Sequence, residues 1–163
     1  MKMLQSAHFI SRSAEMTRKA GARLAGALRA GDVILLSGAL GAGKSEFARG
    51  IAQGLGIKTP LTSPTFTLLN IYQMDNFPLH HFDWYRMNDA EELYAIGLDE
   101  YIGGESLTLI EWHERAPELV PKDCLEVQLQ PLDENTRRIT FLLRGGFRNL
   151  ENIKFSDMEQ EQC

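Results

Sequence analysis

The sequence predicts a single α/β domain with a mainly parallel sheet, an antiparallel hairpin and helices on both faces. Three observations carry that expectation. Two short, continuous apolar runs, Val33-Ile34-Leu35-Leu36 and Leu107-Thr108-Leu109-Ile110, are of the kind expected for strands buried on both faces. Segments of helical periodicity separate such runs. The chain of 163 residues, 44% hydrophobic and 24% charged, has the size and composition of one globular unit able to bury a core.

The first helix is expected over 13–29. Ser13 can accept from the first free N–H groups, Glu15 suits the electropositive first turn, and Met16, Ala20, Leu24 and Leu28 recur on one face before Gly31. The Val33 strand follows, then a glycine-rich turn, then a second helix over 45–55 that stops at Gly54 and Gly56. Residues 66–72 read as a strand and 79–83 as its hairpin return, joined by the turn residues Asp75-Asn76-Phe77-Pro78. Asn88 and Asp89 precede a short acidic helix that ends near Gly97, with a further helical turn over 98–102. After the Leu107 strand, residues 124–129 and 138–143 read as two more strands around Asp133-Glu134-Asn135. The domain is expected over 1–145, and 146–163 as a polar, partly disordered tail.

Composition narrows the function. With 17 basic and 22 acidic residues the net charge is −5, which argues against a free-standing nucleic-acid binder but allows a subunit whose partner holds the nucleic acid. No run approaches the length of a membrane span, and the amino end has no apolar signal region. Cys124 and Cys163 offer no metal spacing and read as free thiols of a reducing cytoplasm. His8, His80, His81 and His113 likewise lack ligand spacing and read as ordinary packed or surface residues; the adjacent His80 and His81 must face opposite ways on a strand.

The strong signal is Gly38-Ala39-Leu40-Gly41-Ala42-Gly43-Lys44-Ser45, which satisfies G-x-x-x-x-G-K-[ST] between a buried strand and a helix. Its glycines let successive N–H groups turn inward around a phosphate, and the following helix aims its positive end at the same anion. Gly38, Leu40, Gly41, Ala42 and Gly43 are therefore expected to form the cradle, Lys44 to reach the outer phosphates and the Ser45 hydroxyl to be a Mg²⁺ ligand. This makes the expected architecture a P-loop NTPase fold. A carboxylate at a neighbouring strand end is then needed for the metal. Glu111 ends the Leu107 strand at the edge where ligands of α/β sheets gather; Asp83, after Leu79-His80-His81-Phe82, is the less uniformly apolar alternative. Either acid can instead be a plain strand-end or turn residue. The loop Thr62-Ser63-Pro64-Thr65-Phe66 could present Thr65 to a terminal phosphate, or be no more than a proline loop before a strand.

Taken together, GALGAGKS (38–45), SPTFTL (63–68), HFDWYR (81–86) and IEW (110–112) resemble the TsaE family, the small P-loop ATPases of bacterial tRNA threonylcarbamoyladenosine modification. The resemblance spans about 15–121. It implies ATP and Mg²⁺ in the 38–45 cradle, Ser45 and Glu111 as metal ligands, Thr65 and Asp83 beside the terminal phosphate and metal, and Trp112 next to the nucleotide. It also implies binding to the TsaD–TsaB pair, where TsaD performs the transfer chemistry, so that tRNA is met only through the complex and hydrolysis resets it. Ala39 stands where that family usually has Asp, and Glu46 where a hydroxyl residue is usual. Two other readings share the cradle: a small-molecule kinase, for which only Arg86 and Arg115 are in range as lid arginines, and a nucleotide-gated binding module that hardly hydrolyses ATP.

Overall fold

The computed structural model describes residues 6–64, 67–150, 153, 155 and 158. One seven-stranded sheet runs in the order β1-β7-β6-β2-β5-β4-β3, with β1 Ser6–Ser11, β2 Val33–Ser37, β3 Leu69–Tyr72, β4 Leu79–Asp83, β5 Leu107–Glu111, β6 Cys124–Pro131 and β7 Arg137–Arg144. The central strands β6, β2, β5 and β4 are parallel; β3 pairs antiparallel with β4 at one edge, and β7 with β6 and β1 at the other. The expected parallel sheet with its hairpin is thus present, extended by an amino-terminal edge strand that the sequence reading left out. Among the described residues no helix is long and apolar enough to cross a membrane.

Both faces are covered, unequally. Helices α1 (Ala14–Ala25) and α2 (Lys44–Gly54) lie over one face, where Met16, Ala20, Leu24, Phe47 and Ile51 meet Ile34, Leu36, Leu109, Leu125 and Val127. The other face is covered by the short α3 (Glu91–Ala95) and by 3-10 turns at Leu98–Tyr101, His113–Arg115 and Pro117–Leu119, with Trp84, Met87, Leu93 and Ala116 packed on Val33, Leu35, Phe82 and Ile110. Strand alternation divides the two sets. Leu107, Leu109 and Glu111 share the α1/α2 face with Leu79, and by the same period with His81 and Asp83.

Ser13 caps α1 through the Met16 N–H at 3.1 Å, as its position predicts. The two long helices cross almost in backbone contact: a methyl group on Gly50 would collide with the Arg18 carbonyl oxygen and meet its carbon at 2.7 Å. The crossing fixes where the amino end of α2 sits above the sheet.

One strand boundary differs from the sequence reading. Of the strand expected over 66–72, Phe66 lies outside the described residues and the ladder begins at Leu69, because Leu68 takes a left-handed φ of 64° and cannot extend it. In the tail, Phe147, Leu150, Ile153 and Phe155 lay apolar side chains against the α1/α2-side core, and Met158 is buried there. The Phe155 ring stacks on Phe141 at 4.4 Å, while Arg148 Nη2 donates to Asp32 at 2.7 Å and to the Ala27 carbonyl. At these positions the chain is packed on the domain; its polar average conceals apolar residues that meet the core.

Candidate functional site

The loop between β2 and α2 stands at the carboxyl ends of the parallel strands. Two of its glycines are required by the backbone itself. Gly38 has φ 151° and a Cβ there would lie 2.6 Å from the Leu129 carbonyl oxygen; Gly43, the residue before α2, has φ 105°. Ala42 is fully buried beneath the loop, whereas Leu40 and Gly41 face solvent at its crest. Unlike α1, α2 has no side chain capping its first turn, so its orphan N–H groups are left for an anion.

An open cleft of about 570 Å³ rises from this loop, lined by Leu40, Gly41, Gly43, Lys44 and Ser45, by Asp83 and Glu111, and by Trp112. The two acids are register partners on adjacent strands, β4 and β5. Both are nearly buried, and all five residues of β4 are buried as well, despite the mixed Leu79-His80-His81-Phe82 sequence. Asp83 accepts from the Tyr85 N–H at 2.9 Å and from the Ser63 hydroxyl at 3.2 Å. Glu111 is held by His81 Nε2 at 2.9 Å. Lys44 is buried, its Nζ donating to the Gly38 carbonyl at 2.6 Å and lying 3.9 Å from the centroid of the Trp112 ring. Burial pushes the Lys44 ammonium below its ordinary pKa, partly offset by the charges of Glu111, Glu114 and Asp83. Trp112 itself has a left-handed φ of 60°, and Tyr85 lies against its ring at 4.8 Å.

The structure therefore brings Leu40, Gly41, Gly43, Lys44, Ser45, Asp83, Glu111 and Trp112 to one cleft, with Ala42 as the floor of its loop; Gly38 does not line the cleft and meets it only through its carbonyl, which accepts from Lys44. Thr65 lies outside the described residues. Trp84, the other tryptophan following an acid, is fully buried on the opposite face against Phe82 at 5.9 Å and takes no part. Glu46 is ion-paired with Arg18 and Arg49. Arg86 is exposed, and Arg115 is exposed over the Tyr85 ring. The sequence reading missed His81, whose alternation with Asp83 was the available signal, and Arg137, which reaches the cleft from β7 with no local signal at all.

Among the described residues no three His, Cys, Asp or Glu side chains gather as a closed metal cage. The set Ser45, Asp83 and Glu111 suits a hard cation that keeps waters and shares phosphate oxygens, which is how Mg²⁺ is commonly bound. A glycine-rich cradle, a lysine and an uncapped helix end suit the phosphates themselves.

Comparison with known proteins adds the family. The sequence model described as "TsaE: Threonylcarbamoyl adenosine biosynthesis protein TsaE" matches residues 11–139. The chain belongs to the TsaE family. Relatives include a protein named tRNA threonylcarbamoyladenosine biosynthesis protein TsaE from Bacillus subtilis (strain 168), 42% identical over 129 residues, covering 78% of this chain and 80% of the relative. Those of the same name from Rickettsia felis and Treponema pallidum are 43% and 40% identical, covering 83% and 80% of this chain and 80% and 96% of theirs. A solved structure titled "Crystal structure of Bacillus subtilus YdiB" superposes with a TM-score of 0.76 at 29% identity over the whole of both chains. This TsaE-family chain thus resembles the relatives in sequence and the solved structure in its α/β architecture.

Proposed function

We propose that this chain is a Mg²⁺-dependent ATPase of tRNA threonylcarbamoyladenosine biosynthesis, acting in the cytoplasm as a subunit that binds TsaD and TsaB and resets that complex through hydrolysis. The observation that carries the proposal is the convergence, over one glycine loop, of Lys44 and Ser45 from the start of α2 with Asp83 and Glu111 from two paired strand ends. The relatives named for this pathway support the biological setting. Net charge −5 agrees with tRNA being held by a partner.

In this reading the loop amides and Lys44 bind the β- and γ-phosphates, and Ser45, Glu111 and Asp83 hold Mg²⁺. Bound Mg²⁺ supplies charge neutralisation on the phosphate oxygens during in-line transfer to water. For Lys44 to engage phosphate it must release the Gly38 carbonyl and slide off the Trp112 ring, and the charge of a polyphosphate supplies the drive. Asp83, which accepts from Tyr85 and Ser63, orients the attacking water in this reading, and the His81 hydrogen bond supports the orientation of Glu111. Thr65 is proposed beside the terminal phosphate on the family resemblance.

Phosphate release from ATP, with and without TsaD–TsaB, tests the proposal together with ATP-dependent co-purification. The expected result is slow release alone, faster release in the complex, and a loss of about 10²-fold or more in Asp83→Asn. Transfer of the γ-phosphate to a small acceptor instead of water would make it a kinase. ATP-dependent association with no cleavage under either condition would make it a nucleotide-gated module.

A further inference from the structure

Arg137 opens β7, two strands from β2 on the side away from the acids. Its Nη1 donates to the Ala42 carbonyl at 3.0 Å, and its side chain lies against Gly43, where a Cβ would be 3.2 Å from the arginine Cδ. Its Nε is buried with no hydrogen-bond partner, and among the described residues no carboxylate lies within ion-pair distance of it. A guanidinium is permanently charged, and this half-buried one stands beside an anion cradle with one N–H committed to the loop and no carboxylate partner among the described residues.

Its position says which part of the ligand it meets. Glu111 and Asp83 stand one and two strands from β2 on one side and set the metal and terminal-phosphate end there. Strands lie ~4.8 Å apart, so β7 is about 10 Å from β2 on the opposite side. A nucleotide whose polyphosphate lies in the loop must send its nucleoside toward β7 and the start of α1. There the same cleft is lined by Ala14, Gly43, Glu46 and Arg137, the Glu46 carboxylate being already engaged by Arg18 and Arg49.

We propose that Arg137 is a nucleotide-binding residue that takes the nucleoside half of the ligand, its flat guanidinium against the base. The proposal rests on the nucleotide reading above. Arginine suits the role because its planar group stacks on aromatic rings while its other N–H groups stay committed, here to the loop carbonyl.

The test is calorimetric titration of the full chain with Mg-ATP, Mg-ADP and inorganic tripolyphosphate, for wild type, Arg137→Ala, Arg137→Gln and Arg137→Lys, with melting of the ligand-free proteins alongside. Arg137→Ala and Arg137→Gln are expected to weaken both nucleotides 10-fold or more while leaving tripolyphosphate within twofold, with Arg137→Lys between them and wild type. Parallel loss for tripolyphosphate would overturn the assignment and make Arg137 a brace of the loop. Unchanged nucleotide affinity in Arg137→Ala would overturn it alone, leaving the cradle intact. A wild-type protein that binds neither nucleotide nor tripolyphosphate would overturn the nucleotide reading, and this assignment with it.

Discussion

Gly50→Ala sets helix propensity directly against packing. In an isolated helix the substitution stabilises by about 1 kcal/mol, because alanine loses less backbone entropy than glycine. Here the added methyl would meet the Arg18 carbonyl carbon at 2.7 Å and its Cα at 2.9 Å, and both atoms are backbone that no rotamer change can clear. The α1 and α2 axes must therefore part by something on the order of 1 Å, disturbing a contact in which Phe47 and Ile51 are fully buried. Overpacking of this kind costs about 1–3 kcal/mol, with the upper end expected where backbone opposes backbone. The net is a loss of about 2 kcal/mol, or roughly 4–8 °C in Tm for a chain of this size. Thermal melting followed by circular dichroism measures it, with Gln53→Ala on the exposed side of the same helix as a control for propensity alone. Since the crossing holds the start of α2, nucleotide affinity should fall with the stability. A Gly50→Ala protein that melts at or above wild type would refute the claim that close helix approach positions the cradle.

Two further predictions concern buried titratable groups. Burial alone would push Glu126 up, but hydrogen bonds from Ser37 and Gln128 and the Arg144 charge outweigh it and leave its pKa lowered. A carboxylate with a lowered folded pKa contributes stability that is present above its unfolded value, about 4.3, and is lost as pH falls through the folded one. Glu126→Gln should therefore cost about 1–3 kcal/mol in urea unfolding at pH 7, with the gap to wild type closing below about pH 4. Cys124 is fully buried and its thiol is pushed up to about 11 by that burial. In a Cys163→Ser background the native protein should resist alkylation at pH 8 and react only in denaturant; rapid native labelling would contradict its place under β6.

The site was legible where chemistry is local in sequence. The motif needs its strand, glycines, lysine and helix in one unbroken stretch, so the strand, loop and helix of 33–55 were readable from that stretch alone. Glu111 was readable because a parallel strand buried on both faces must break its apolar run where it reaches the ligand edge. Asp83 was less so: His80 and His81 dilute the apolar signal of β4, yet His80 Nδ1 bonds the Tyr101 carbonyl at 2.7 Å and His81 Nε2 bonds Glu111, and both side chains are held in a buried strand. Residues acting across long separations left no local trace. β1 is an edge strand whose ladder partner lies at the far end of the chain, and Arg137 meets Ala42 only after β7 folds beside β6. Leu68 truncates β3 through a φ that no leucine advertises.

The central claim is that the 38–45 loop and the two strand-end acids together form one site for a polyphosphate and its magnesium. Calorimetric titration of ATP with and without Mg²⁺, for wild type, Lys44→Ala and Ser45→Ala, tests it most directly. Wild type should bind Mg-ATP more tightly than ATP alone, Lys44→Ala should lose at least about 10-fold in both conditions, and Ser45→Ala should lose chiefly the magnesium-dependent part. Lys44→Ala binding ATP at wild-type affinity, or a magnesium effect untouched by Ser45→Ala, would contradict it.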